Sequence, residues 1–317
     1  MANTTTPAGG GIGVYIDFAI LAEHDGIADN VKNLAVSGGS WAVTWGPAWT
    51  LTDSNLAYAA EFTPTGATAP TIAAVVIRGT DAKVDPLGLL AQAAEDLRSL
   101  EQVTIPWSSD SSAAVSTGSI KAFGDITTMT SKGAMVGKNL SDYLTTVAGK
   151  VPQIVVTGHS LGGAMTTLVS LWGQSTFASV LGSTVLQPVT FAAPGIGNQA
   201  FIDLYQSTFS GNVAFANSLD IVPLIWASPS AIPGLYTAYG LSTPSLVTGY
   251  LSQIQKWMTD NGVTYVQQSQ NLTPLTGSFV QESGILAWAD EVLAQHVATN
   301  YAALLANAGY TVPTTPF

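Results

Sequence analysis

The sequence predicts an α/β fold in which a mostly parallel central sheet is flanked by helices. Short β-branched segments and amphipathic segments alternate along most of the chain, as they do in sheets built from strand-helix-strand units. The 317 residues fit one large α/β domain, and no repeat or low-complexity tract divides them. We therefore expect a single domain over residues 1–317, with residues 1–50 as an N-terminal extension of unclear relation to it.

Apolar, β-branched runs bounded by turn residues indicate the strands. The predicted strands cover residues 41–49, 56–62, 72–77, 154–157, 185–191 and 213–216. Two helices are predicted between the later strands, over 131–147 and 161–173. The first of these predictions depends on Val136, Leu140, Leu144 and Val147, which recur at helical spacing.

One predicted strand leads directly into Gly158-His159-Ser160-Leu161-Gly162. A strand, a Gly-x-Ser-x-Gly turn and a helix, in that order, are the context of a nucleophile elbow. Glycines two residues before and after the serine suit so tight a turn, since neither carries a side chain. The alternative is a glycine-rich loop with an incidental serine. The flanking elements favour Ser160 as a nucleophile.

A serine becomes an effective nucleophile when a base takes its proton, and the chain has three histidines. His159 lies inside the elbow, where its ring is expected to point away from the Ser160 hydroxyl. His24 belongs to a polar turn early in the chain. His296, just before a predicted C-terminal helix, is therefore the candidate base, although a lone histidine is more often packed or solvated.

A carboxylate is needed to orient that base, and in this architecture it lies between the serine and the histidine in the chain. Asp220 follows an apolar strand, at the edge of the sheet where α/β proteins build their ligand sites. Asp203 is assigned to the exposed side of a helix and Asp260 to a turn or helix cap. Asp290 and Glu291 are expected on the polar face of a helix. Asp220 is the candidate acid.

Several motifs in the same order extend this pattern. They are Val75–Thr80 ending in Arg-Gly-Thr, the elbow, Thr190–Asn198 followed by Phe201, Asn217-x-x-Asp220-x-Val222-Pro223, and His296 with Tyr301. Together they resemble the class 3 lipases, the α/β-hydrolase family of the filamentous-fungal triacylglycerol lipases and their bacterial relatives. The resemblance runs from about residue 72 to about residue 305.

The resemblance implies an oxyanion hole made by the backbone N–H groups of Thr80 and Leu161. General principles agree, because the residue after the nucleophile and a loop after an earlier strand supply these donors in such enzymes. An ordinary strand exit is the alternative for Arg78-Gly79-Thr80-Asp81. Losing one oxyanion donor commonly costs about a hundred- to a thousandfold in rate.

The family also implies a lid, for which residues 83–105 are the candidate. Asp85 and Pro86 can begin a helix whose apolar stripe contains Leu87, Leu90, Ala94 and Leu97. A fixed amphipathic helix would have the same pattern. We assign substrate contacts to Leu87, Leu90 and Leu97, and to Leu224, Ile225 and Trp226, for which a place in the core is the alternative.

Composition excludes several classes of protein. A net charge of −11 with nine lysines and arginines argues against nucleic acid binding. The absence of cysteine and the scattered histidines predict no metal site, and the expected chemistry needs no cofactor. No apolar run is long enough to span a bilayer. Nothing in the sequence specifies an oligomeric state.

The first residues, Met-Ala-Asn-Thr-Thr-Thr, lack the basic and apolar regions of a signal peptide. We expect an extracellular protein exported by a route that needs no visible signal peptide, with the cytoplasm as the alternative.

The resulting hypothesis is a serine carboxylic ester hydrolase, specifically a triacylglycerol lipase that forms an acyl-enzyme at an oil–water interface. A phospholipase A1, a feruloyl esterase or another esterase could use the same scaffold. A catalytically disabled, hydrolase-like binding protein is the alternative from another class.

Overall fold

In the computed structural model, residues 8–50, 55–79, 97–108, 110–280 and 286–313 are described. The strands, in chain order, are β1 (Gly39–Trp49), β2 (Leu56–Pro64), β3 (Ile72–Ile77), β4 (Gln102–Thr104), β5 (Ala114–Ser116), β6 (Ser131–Ala134), β7 (Gln153–His159), β8 (Val185–Phe191), β9 (Val213–Asn217) and β10 (Leu272–Leu275). The helices are α1 (Ile12–Leu21), α2 (Ile27–Lys32), α3 (Thr117–Thr128), α4 (Leu140–Val147), α5 (Leu161–Thr176), α6 (Ala178–Leu181), α7 (Gln199–Thr208), α8 (Ser245–Asp260), α9 (Ala287–His296) and α10 (Ala298–Asn307).

Eight strands form the central sheet, in the order β10-β9-β8-β7-β3-β2-β1-β6. The five strands from β10 to β3 are mutually parallel, and β2, β1 and β6 continue the sheet through antiparallel pairs. The predicted α/β fold with a mostly parallel central sheet is therefore confirmed. β4 and β5 pair separately.

Both faces of the sheet are covered, because alternate residues of its strands point to opposite sides. In β3, Ala73, Val75 and Ile77 pack with α3, α4, α5 and α7. Ala74 and Val76 pack on the other face with α1, α2 and α10. Helix α1 is nearly all apolar, and its residues 13–21 are all buried. Helices α1 and α2 thus form part of the layer that covers this face of the sheet.

A third apolar cluster lies beside the sheet and is here called the cap core. It joins α8, α9 and the short 3₁₀ helices that follow β9. Its buried members are Leu100, Leu219, Ile221, Val222, Ile225, Ile232, Tyr236, Val247, Leu251, Ile254, Met258, Tyr265, Trp288 and Val292. Asp220 lies within the segment that supplies four of these residues.

The predicted single helix over 131–147 is wrong. Residues 131–134 form β6, which pairs with β1 at the sheet edge, and the helix α4 begins at Leu140. Between them Met135 and Gly137 have φ values of 55° and 77°, which no right-handed helix accommodates. Val136, which suggested the helical stripe, is 73% exposed in this turn.

None of the helices in the described part of the chain is long and apolar enough to cross a membrane.

Candidate active site

Ser160 lies at the sharp turn between β7 and α5. Its backbone angles, φ 57° and ψ −126°, lie in a region that non-glycine residues rarely occupy. Such strain is held by the surrounding fold and is common at functional sites. The turn lifts the serine from the end of β7 and places it ahead of the first turn of α5.

Two glycines allow this turn to close. A Cβ on Gly158 would lie 2.4 Å from the backbone of Gly162, and one on Gly162 would lie 2.1 Å from the carbonyl oxygen of Ile77. Both distances are far below van der Waals contact. The Gly-x-Ser-x-Gly pattern is therefore a steric requirement of this strand, turn and helix.

The three residues predicted as a triad are brought together. The Ser160 Oγ lies 2.8 Å from His296 Nε2, and His296 Nδ1 lies 2.8 Å from Asp220 Oδ2. All three residues are buried, with at most 8% of their surface exposed. With the Nδ1–H donating to the carboxylate, Nε2 is free to accept the serine proton.

Asp220 is fixed by contacts to both of its carboxylate oxygens. Oδ1 accepts the backbone N–H of Val222 at 2.9 Å. Oδ2 accepts both His296 Nδ1–H and the Tyr301 hydroxyl, the latter at 2.8 Å. The backbone N–H of Asn217, the last residue of β9, donates in turn to the Tyr301 oxygen at 2.9 Å. The carboxylate can therefore hold one rotamer and orient the imidazole.

His159, the residue before the nucleophile, is packed behind the candidate base. Its ring lies against the rings of His296 and Tyr301. Burial, and then the positive charge that His296 can carry, hold the pKa of His159 well below its ordinary value, against a smaller opposing effect of the His296 backbone. His159 is therefore neutral, as expected for a buried imidazole beside another basic group.

The expected oxyanion donors can be located in part. Leu161 is the first residue of α5, where backbone N–H groups have no partner within the helix. Thr80 lies outside the described residues. Its predecessor Gly79 passes so close to the elbow that a Cβ there would lie 2.9 Å from the His159 carbonyl oxygen and 3.3 Å from Ser160 Cβ.

The residues predicted to contact the substrate lie either outside the described residues or in and around the cap core. Leu87 and Leu90, with most of the candidate lid, lie outside the described residues. Leu97 begins a 3₁₀ helix and packs against the cap core, as do the partly buried Leu224 and Trp226. Ile225 is 1% exposed and belongs to the cap core itself, which corresponds to the alternative considered for it.

The sequence analysis did not predict that two polar residues beside the site are buried. Glu291, expected on the polar face of a helix, is completely buried, and Gln295 is 1% exposed. The prediction that Glu291 lies on an exposed face of its helix is wrong. A signal was present, because Trp288, Val292 and Gln295 recur at helical spacing and Glu291 lies on the same side.

Among the described residues, no three His, Asp or Glu side chains lie close enough to hold a metal ion.

Comparison with known families agrees with this geometry. The family model described as Lipase (class 3) matches residues 74–229. The matched segment, 156 of the 317 residues, is similar to the class 3 lipases. The match includes Ser160 and Asp220 and ends before His296.

A relative from Gibberella zeae, the secreted mono- and diacylglycerol lipase 3, is 36% identical over 78 residues. The aligned segment spans 24% of this chain and 24% of that lipase, about a quarter of each. The crystal structure of M37 lipase is similar over 94% of this chain and 92% of that one, with a TM-score of 0.78 and 20% identity. At this identity the likeness shows the shared fold.

Proposed function

We propose that this protein is a class 3 lipase, a carboxylic ester hydrolase that works through an acyl-enzyme. The observation that carries the proposal is the unbroken chain of contacts from Ser160 Oγ through His296 to Asp220, with 2.8 Å at each step. Nucleophile, base and orienting carboxylate in hydrogen-bond reach of one another are the requirement for an activated serine.

In the proposed reaction His296 Nε2 takes the Ser160 proton while Oγ attacks the ester carbonyl carbon. The imidazolium then protonates the leaving alcohol, and the acyl group remains on Ser160. A water molecule, deprotonated by His296, attacks this acyl-enzyme and releases the acid. Asp220 stabilises the imidazolium in both halves and keeps its own charge.

We assign the oxyanion hole to the backbone N–H groups of Leu161 and Thr80. The place of Leu161 at the beginning of α5 supports the first donor, because the helix N-terminus carries a partial positive charge. The close approach of Gly79 to Ser160 supports the second, since the next residue along the chain is Thr80. Two fixed donors would stabilise the oxyanion of each tetrahedral intermediate.

Acylglycerols are the substrates we propose, with triacylglycerol first. The name of the Gibberella zeae relative, a secreted mono- and diacylglycerol lipase, supports this class of ester. The same name supports our proposal that the protein acts outside the cell. The intact triad geometry argues against a disabled binding protein.

A fluorophosphonate tests the chemistry directly. We expect one phosphonyl group per molecule of the wild-type protein, attached to Ser160 and located by peptide mass spectrometry. Ser160→Ala should remain folded, take up no label, and lose on the order of a millionfold in kcat. A folded wild type that does not react, or an alanine variant with a tenth of the activity, would exclude the proposed nucleophile.

Substrate class requires a separate comparison. The wild type should release acid from emulsified mono-, di- and triacylglycerols, with phosphatidylcholine and methyl ferulate measured in parallel. Preference for the phospholipid at its sn-1 ester, or for the ferulate, would assign the protein to one of the alternative esterase classes.

A further inference from the structure

A carboxylate is buried one turn before the proposed base. Glu291, in α9, is 0% exposed. Its Oε1 and Oε2 accept the backbone N–H of Val280 at 3.2 and 3.1 Å, and Oε1 also accepts Gln295 Nε2 at 2.7 Å. Burying a carboxylate is costly unless hydrogen bonds compensate it. Nothing in the proposed reaction uses Glu291, so its place beside the site needs another explanation.

Gln295 links Glu291 to Asn217, the last residue of the strand β9 that precedes Asp220. Its Nε2 also donates to the Ser278 carbonyl oxygen at 2.7 Å. Its Oε1 and its backbone oxygen accept Asn217 Nδ2 at 2.8 and 2.9 Å. Asn217 Oδ1 then accepts the backbone N–H of Leu219 at 3.1 Å, which closes the turn that carries Asp220.

The space around these contacts is filled. A Cβ on Gly277 would lie 2.2 Å from Asn217 Oδ1 and 3.0 Å from Gln295 Oε1. A glycine is therefore required where the 277–280 segment crosses the two amides. The side chains of Asn217, Gln295 and Glu291 have partners at every step, and a satisfied buried network is rigid.

We propose that Glu291, Gln295 and Asn217 form a positioning network that sets the separation of Asp220 and His296. The inference rests on the proposed function, because it assigns the network to the proposed triad. Gln295 immediately precedes His296 on α9, and Asn217 closes the turn that presents Asp220. The network thus joins the two elements whose spacing determines the bond between His296 Nδ1 and Asp220 Oδ2.

The charge of Glu291 is part of the proposal. The Val280 N–H donates to both carboxylate oxygens and Gln295 Nε2 donates to Oε1, so Glu291 acts only as an acceptor in these contacts. A glutamine at this position would turn an NH2 group towards one of them. Loss of that bond would loosen either the 277–280 segment or Gln295, and through them the triad.

Glu291→Gln tests the network, with Glu61→Gln as the matched control. Glu61, on β2, is partly buried and accepts bonds from the hydroxyls of Thr44 and Tyr143 at 2.9 and 3.1 Å. Three strands of the sheet separate β2 from β9, the strand that ends at Asn217. We expect kcat of the Glu291 variant to fall between about ten- and a hundredfold, as small misplacements of catalytic groups do. KM should stay within about twofold, because the network lies behind the triad.

The second readout is the low-field proton resonance of His296 Nδ1–H, measured by NMR in water. We expect it to shift or broaden in Glu291→Gln and to remain in Glu61→Gln, even where both variants lose similar thermal stability. If Glu291→Gln does not fold, Gln295→Met supplies the same two readouts, since it removes the central amide and keeps the side-chain length.

A folded Glu291→Gln with wild-type kcat and an unchanged resonance would overturn the network. An inactive wild type whose His296 resonance still responds to Glu291→Gln would instead exclude the proposed reaction and leave the network in place. In an active enzyme, the double variant Glu291→Gln/Gln295→Met should lose little more than the worse single variant, because members of one network are not additive.

Discussion

The imidazole rings of His159 and His296 lie 4.7 Å apart, centroid to centroid, at an interplanar angle of 39°. The His159 ring also stands edge-on to Tyr301, at 5.4 Å and 71°. One buried ring thus supports both the proposed base and the phenol that binds Asp220. Being neutral, it adds no second positive charge beside the imidazolium that the reaction requires.

His159→Phe should make the protein less sensitive to acid. The lowered pKa of His159 means that the unfolded chain binds a proton near pH 6.5 while the native protein does not. This contribution is fully present above that pH and is lost as pH falls, by up to about 1.4 kcal/mol per unit. Denaturant midpoints at pH 7 and 5 should therefore differ less in the variant. Equal losses in both proteins would mean that His159 is protonated in the native state.

Gly79→Ala should lower kcat at least tenfold, the equivalent of about 1.4 kcal/mol in the barrier. The new Cβ would meet the His159 carbonyl oxygen at 2.9 Å and push the end of β3 away from Ser160. Gly124→Ala is the matched control, because nothing lies within 4 Å of a Cβ at that helical position. The control should keep its activity and gain about 0.5–1 kcal/mol of stability. Full activity in Gly79→Ala would remove the support for Thr80 as an oxyanion donor.

The double variant Leu87→Ser/Leu90→Ser tests the lid prediction. Each leucine contributes roughly 2 kcal/mol of transfer free energy at an apolar surface. We expect activity on emulsified triacylglycerol to fall much more than activity on a soluble short-chain ester. Leu97→Ser should instead lower stability, since Leu97 packs against the cap core. Parallel loss of both activities in the double variant would identify a structural helix.

Asp17→Asn should stabilise the protein near neutral pH. Burial in α1 raises the pKa of Asp17 from 3.8 to about 8, and its Oδ2 has no hydrogen-bond partner among the described residues. Between these values the unfolded chain releases a proton that the native protein keeps, so wild-type stability falls as pH rises towards 8. The asparagine cannot ionise, so it removes this pH dependence of the free energy of unfolding, which amounts to several kcal/mol between pH 3.8 and about 8. Urea midpoints from pH 5 to 8 should diverge between the two proteins; parallel curves would place an ionised carboxylate in the native state.

The sequence was most informative where local rules decide the structure. β3 and β8 have the predicted bounds. β3 is an apolar run that is buried after its first residue, and β8 is buried from Pro188 to Phe191. The elbow was predictable from two glycines whose substitution would cause clashes. Ser160, Asp220 and His296 were predicted as a triad from chain order and elimination, and the structure brings their side chains together.

Contacts between distant segments were not predictable in this way. The helical spacing of residues 136–147 suggested that residues 131–134 belong to the same helix. They pair instead with β1, more than eighty residues earlier in the chain. Glu291 is buried because its donors come from Val280 and Gln295, which no local pattern of charge reveals. The layer that α1 forms on the sheet likewise depends on β3, β7 and α10, elements far along the chain.

The buried helix α1 also determines which stretch of DNA would have to be cloned to obtain a folded enzyme. The family match begins at residue 74, within β3, and ends at residue 229. A fragment with those ends would lack α1, β1 and β2 from the N-terminal part of the chain, and α8, β10, α9 and α10 from its C-terminal part. It should accumulate in inclusion bodies, whereas the full 317-residue chain should yield soluble protein.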